Sequence, residues 1–299
     1  MTAASADRVV SHDEDDVSSR PVQVVGWAGL ALFAGLAALF AAFDESISQA
    51  VRTTDAGWAH ALEMYGQLPG VLVGILGAVI LLRLAVPPRG ARGWLGLLLV
   101  GLLLLLSSLQ VALELGAHTA GHTDVHRTLA VGIPVAMVAL LISRWVPIEW
   151  AEAARPAAVV ALALPYVAAV VTVWAIKIPW GRWTPRDIAA AGDPSLFSPW
   201  YLPQGTTGHY AFISGHTSFA FVVVALVLLF ARSRRAFTTG LLLCLAWGVV
   251  GAAGRVVLGA HFPSDTLFAA AITVVWVVLL ARMAGYHPPP RAGLTPQAP

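Results

Sequence analysis

The sequence predicts an all-α protein, a polytopic integral membrane bundle of about eight transmembrane helices. Three observations carry that prediction. Of 299 residues 58% are hydrophobic and only 11% charged, more apolar residue than a soluble core can use. Apolar runs of about 20 residues, the length that crosses a ~30 Å hydrocarbon layer as helix, recur along the chain. The cationic side chains then sort largely to one side of the bilayer that these runs define.

The runs lie at 22–43, 68–86, 94–115, 128–146, 156–176, 214–231, 237–258 and 264–283. Their even number returns both termini to the same side. The polar start carries the acidic run His12-Asp-Glu-Asp-Asp16, whereas a cleaved signal wants a short basic leader, so no signal peptide is expected. With the N-terminus inside, Arg8, Arg20, Arg83, Arg89, Arg92, Arg144, Arg155, Arg232, Arg234, Arg235, Arg282 and Arg291 are cytoplasmic, twelve of the 18 Lys and Arg residues. Arg52, Arg127, Lys177, Arg182, Arg186 and Arg255 lie outside, against the positive-inside rule, and most of them cluster in two short segments. Charge placed where the rule disfavours it points to an anionic ligand. The expected localisation is the cell membrane, with the site on the extracytoplasmic side.

Four segments follow. Residues 1–21 and 284–299 read as disordered cytoplasmic tails, too polar to offset their chain entropy. Residues 22–155 hold four N-terminal spans, and 156–283 hold the four spans that carry every candidate motif. A long outer loop at 187–213, rich in Pro, Gly and aromatic residues, joins two of those motifs. The net charge of +2, with no basic domain, excludes a nucleic-acid role. Cys244, the sole cysteine, sits inside an apolar run and reads as a small core residue.

Three clusters share the outer surface: Lys177 to Arg186, Ser214-Gly215-His216, and Arg255-x5-His261-x3-Asp265. Ammonium and guanidinium groups neutralise phosphoryl oxygens, and an arginine fork engages two at once. Ser214 and Gly215 open a helix whose free amides favour an anion. Two histidines supply a nucleophile and a proton donor near neutral pH. The bland alternatives are snorkelling anchors for the cations, a structural polar network for Arg255, His261 and Asp265, and a plain helix cap at Ser214.

Taken together, the residues resemble the membrane phosphatases of the type 2 phosphatidic acid phosphatase (PAP2) superfamily, which share their site with vanadium haloperoxidases. That pattern is Lys-x6-Arg-Pro, then Pro-Ser-Gly-His, then Ser-Arg-x5-His-x3-Asp. Here the third motif has Gly254 for Ser, the second has Ile213 for Pro, and in the first Thr184 stands at the arginine position between Arg182 and Arg186. The resemblance spans roughly 156–283 and leaves the first four spans unassigned. It implies that His261 attacks phosphorus, that Asp265 orients its imidazole and that His216 protonates the leaving oxygen. Lys177, Arg182, Arg186, Arg255, Ser214 and Gly215 are implied to hold the phosphoryl group, without metal or cofactor.

The implied substrate is a lipid phosphate or diphosphate taken from the bilayer. A phosphotransferase with the same residues and an anion or lipid transporter stay open as alternatives. The run His118-x3-His122-x3-His126 has the spacing of ligands on one helix face, but Gly116 and Gly121 argue for a polar loop instead of a metal site. Trp174, Trp180, Trp183, Trp200 and Tyr201 read as an interfacial aromatic belt.

Overall fold

The structure, a computed structural model, describes residues 13–88, 90–120 and 125–289, the stretches 13–25 and 116–120 by backbone alone. Its regular elements among the described residues are all helical: α1 (Asp13–Val51), α2 (Gly57–Tyr65), α3 (Leu68–Ala85), α4 (Gly90–Ala120), α5 (Val125–Ser143) and α6 (Ile148–Leu164). A π-helical stretch (Pro165–Thr172) follows, then α7 (Val173–Trp180), α8 (Pro185–Ala191), α9 (Gly215–Val222), α10 (Ala225–Phe230), α11 (Arg234–Val257) and α12 (Pro263–Met283).

Among the described residues seven helical stretches are long and apolar enough to cross a membrane, and Gly215–Phe230 forms a shorter apolar passage. These eight passages are the eight runs read from the sequence. The first begins earlier than expected, since α1 starts at Asp13 within the presumed tail. Residues 1–12 and 290–299 lie outside the described residues.

Close packing rests on small residues. An added Cβ on Gly77 would stand 2.6 Å from the Leu162 amide nitrogen and 2.7 Å from the Ala158 carbonyl, so only glycine lets α3 lie this near α6. Ala154, Ala157, Ala158 and Ala161 line that seam, and Val73, Ile80 and Val222 close it. On the other flank α3, α4 and α5 meet through Val71, Leu104 and Ala139. The outward faces stay apolar, as the exposed Leu95, Leu98, Leu99 and Leu102 of α4 show, which suits contact with lipid tails.

On α1 the pattern is inverted. Trp27, Leu30, Leu32, Leu39 and Phe43 are exposed, while Ala37, Asp44 and Ser48 form the buried face. A third apolar cluster, Val173, Phe212, Ile213 and Ala269 with Trp180, Trp200 and Phe268, pins the 187–213 loop onto one end of the bundle. Trp180 Nε1 donates to the Trp200 carbonyl (2.7 Å), and Trp200 Nε1 donates to the Ala37 carbonyl (3.2 Å). Trp180 and Trp200 therefore pack the site loop, whereas Trp174 and Tyr201 are exposed as a belt requires.

Candidate active site

The spacing of the third motif follows from how α11 ends. Gly259, at φ +64°, takes the left-handed conformation after the last turn. Its amide donates to the Val256 carbonyl (2.9 Å) and the Ala260 amide to that of Arg255 (3.0 Å), the paired bonds of a Schellman cap. The turn folds His261 back so that its own amide donates to the same Arg255 carbonyl (3.2 Å). Helix α12 then starts with Pro263, a residue suited to a first turn, and Asp265 Oδ2 accepts from the Phe262 amide (2.8 Å).

The first motif arrives through the π-helical stretch, where Thr172 Oγ1 donates to the Val167 carbonyl five residues back (2.6 Å). Beyond it α7 carries Lys177, whose Nζ donates to the Tyr210 carbonyl (2.5 Å). Thr184 caps α8 by accepting from the Asp187 amide (3.2 Å), a local role that a threonine oxygen fills and an arginine cannot. The second motif opens α9, with Ser214 Oγ accepting from the Thr217 amide (3.3 Å). This cap leaves Gly215 and His216 as the leading amides of the helix.

Backbone bonds between the motifs fix their mutual placement. Arg186 N donates to the Gly259 carbonyl (2.9 Å), Ser214 N to that of Asp265 (3.1 Å) and Ala211 N to that of Arg182 (2.9 Å). The three segments separated in sequence thus meet at one end of the bundle. The charges of Lys177 and Arg255 act on both His216 and His261.

His261 is 5% exposed and its Nδ1 donates to the Ala211 carbonyl at 2.7 Å. Asp265 Oδ2 lies 3.5 Å from the same nitrogen, a charge contact outside ordinary hydrogen-bond length. The carbonyl fixes the tautomer and leaves Nε2 with its lone pair. Burial pushes the His261 imidazole down to about 4, Lys177 and Arg255 press the same way, and Asp265 opposes them. His216 Nε2 accepts from Gln67 Nε2 (2.9 Å) and lies 3.3 Å from the Glu63 carbonyl.

Glu63 closes the cation cluster. Its Oε1 accepts from Arg255 Nη1 (2.9 Å) and Arg186 Nη1 (3.2 Å). Arg255 Nε is buried with no acceptor among the described residues, so this guanidinium retains a donor to give. Beside it opens a pocket of about 510 Å³ that Arg52, His60, Glu63 and Arg186 line.

Residues 157–288 match the model of the PAP2 superfamily. The chain is also 42% identical over 93 residues to phosphatidylglycerophosphatase B of Escherichia coli (strain K12), a match covering 29% of this chain and 35% of the relative. The same figures hold for the proteins of that name from Escherichia coli O157:H7 and Shigella flexneri. The chain therefore spans about a third of the length of the curated relatives it matches. No solved structure matches it.

All the sequence-predicted site residues lie within the matched segment 157–288, and two features of the site escape the motifs. Arg182 does not face the cations of the cluster but is 1% exposed behind them, giving four hydrogen bonds to Ser198, Ser264, Asp265 and Asp44. Arg186, half exposed, stands with Arg255. Asp44, Glu63 and Gln67 all precede the matched segment and yet reach the site. The signal that finds them is an ionisable or amide residue placed within a long apolar stretch.

The histidine run divides differently. Helix α4 continues through Gly116 to Ala120, so that glycine does not end it, and His126 falls on α5. The side chain of His118 and the whole of His122 lie outside the described residues. Among the described residues no three His, Cys, Asp or Glu side chains group as metal ligands.

Proposed function

We propose that this chain is a membrane phosphatase that hydrolyses a lipid phosphate or diphosphate through a phosphohistidine at His261. The observation that carries the reading is the pairing of His261 Nδ1 with the Ala211 carbonyl at 2.7 Å beside Arg255 and Lys177. A neutral imidazole held in that tautomer presents the Nε2 lone pair towards a phosphorus atom bound by cations. The PAP2 match and the phosphatidylglycerophosphatase relatives add independent support for lipid phosphate as substrate.

In this mechanism Lys177, Arg186, Arg255 and the Gly215 and His216 amides bind the phosphoryl oxygens, with Ser214 shaping the amide seat. Positioning and charge compensation supply most of the acceleration in phosphoryl transfer. His261 Nε2 forms the bond to phosphorus as the lipid oxygen leaves, and His216 gives that oxygen its proton. Water then attacks the phosphohistidine, passes a proton to His216 and frees inorganic phosphate and His261. Arg182 is assigned to holding Asp265 in place of binding phosphate, because the protein itself takes four of its donors.

The domain division follows the same reading: residues 156–283 form the catalytic core and 22–155 flank it. The site is assigned to the extracytoplasmic face on the distribution of Lys and Arg. Phosphate release by the purified protein tests the function. The panel is phosphatidic acid, phosphatidylglycerophosphate, a polyprenyl phosphate and a polyprenyl diphosphate, each with and without chelator. Release that chelator leaves unchanged is expected from at least one member, and no release from any would overturn the assignment.

A further inference from the structure

Asp44 lies in α1, far before the matched segment, on a helix whose neighbouring Leu39 and Phe43 are exposed. It is nevertheless buried, at 2% exposure. An ionised side chain in an apolar span persists only when paired, and such residues mark functional sites. The partners of Asp44 lead to the reacting histidine. Its Oδ2 accepts from Arg182 Nη2 (2.8 Å) and from the Ser264 hydroxyl, and its Oδ1 accepts from the Ser264 amide (2.9 Å). Arg182 Nη1 in turn donates to Asp265 Oδ1 (2.6 Å) and Ser264 Oγ (2.8 Å), with the guanidinium 4.1 Å from the Phe262 ring centroid.

One planar cation is thus shared between two buried carboxylates, and one of them faces His261. A shared guanidinium compensates each carboxylate only in part. If Asp44 loses its charge, Arg182 falls wholly to Asp265, whose field then supports less positive charge on His261 as phosphorus is attacked. Asp44 also clamps the first turn of α12, from which Asp265 projects.

We propose that Asp44 is a positioning residue for the phosphatase site, acting on His261 through Arg182 and Asp265. This rests on the reading of His261 as nucleophile. It differs from a role in merely docking α1, which an uncharged contact to α12 also serves. Phe33, for example, meets Phe268 edge to face with ring centroids 5.2 Å apart.

The test compares Asp44→Asn, Arg182→Lys and Phe33→Ala with the wild type, using a lipid phosphate that the wild type hydrolyses and inorganic phosphate as a product inhibitor. In Asp44→Asn, kcat should fall about 10- to 100-fold, as loss of an outer-shell partner does, while KM and inhibition by phosphate stay within about threefold. Arg182→Lys keeps the cation but cannot span both carboxylates, and it should lose kcat in the same way. Phe33→Ala should keep kcat within about twofold. Wild-type kcat in Asp44→Asn overturns the proposal, as does an equal loss in Phe33→Ala or a rise in KM that accounts for the whole effect. Should Asp44→Asn not fold, wild-type kcat in Arg182→Lys overturns it instead. A wild type inert on every lipid phosphate sinks the phosphatase reading and this proposal with it, an outcome distinct from an active wild type that Asp44→Asn matches.

Discussion

Glu63 Oε1 accepts a hydrogen bond from Arg255 Nη1 at 2.9 Å and another from Arg186 Nη1 at 3.2 Å, so one carboxylate joins two arginines proposed to hold phosphate. A phosphoryl group must share or displace that carboxylate. Glu63→Gln removes the competing charge while the Glu63 backbone carbonyl still faces His216. The expected result is a KM for lipid phosphate, and a Ki for inorganic phosphate, lowered by roughly three- to tenfold, the scale of a partly exposed ion pair. A raised KM would show that Glu63 aims Arg255 at the substrate instead.

The pH dependence follows from His261. Its pKa is pressed from 6.5 to about 4, chiefly by burial, so the proposed nucleophile stays neutral well below the ordinary histidine range. The acid limb of kcat/KM set by this group is expected near pH 4, and a limb near 6.5 would contradict the buried geometry. Stability carries the matching sign. Between 6.5 and about 4 the unfolded chain binds the proton and the folded chain does not, so His261 makes folding less stable as pH falls through that window. Thermal unfolding followed across it should show His261→Gln losing less stability than the wild type on acidification.

The two arginines flanking Thr184 should part company. Arg186→Ala is expected to cost about tenfold in kcat/KM through loss of one charge-assisted contact, with the fold intact. Arg182→Ala leaves Asp44 and Asp265 buried without their cation, a change that destabilises by about 3–5 kcal/mol. Thermal unfolding in detergent separates these outcomes, and a stable, active Arg182→Ala protein would remove the positioning role.

Orientation is tested with right-side-out vesicles. An impermeant water-soluble phosphate ester should be hydrolysed without permeabilisation if the site faces outward, as the Arg and Lys distribution proposes. Activity that appears only on permeabilisation would place the site inside.

The eight apolar runs were legible because a membrane span is long and its composition unmistakable, and the motifs were legible because Arg255-x5-His261-x3-Asp265 is one local object, a capped helix end and the turn after it. What stayed hidden is long-range. No local pattern tells that Arg182 turns inward to Asp44 and Asp265 while Arg186, four residues on, turns to Glu63. The acceptor for His261 was hidden as well, since a backbone carbonyl such as that of Ala211 leaves no mark in the sequence. Thr184 shows the same limit, reading as a departure from the motif until its capping bond to Asp187 is seen.

The covalent step is the centre of this account, and trapping it is the most direct test. The protein is mixed with a lipid substrate labelled in its terminal phosphate, quenched in alkaline detergent, and the label on the polypeptide is counted. Wild-type protein should carry label that survives alkali and is lost in acid, as a phosphoramidate is, and His261→Ala should carry none. Label retained in His261→Ala, or turnover in that variant at the wild-type rate, would contradict His261 as the nucleophile.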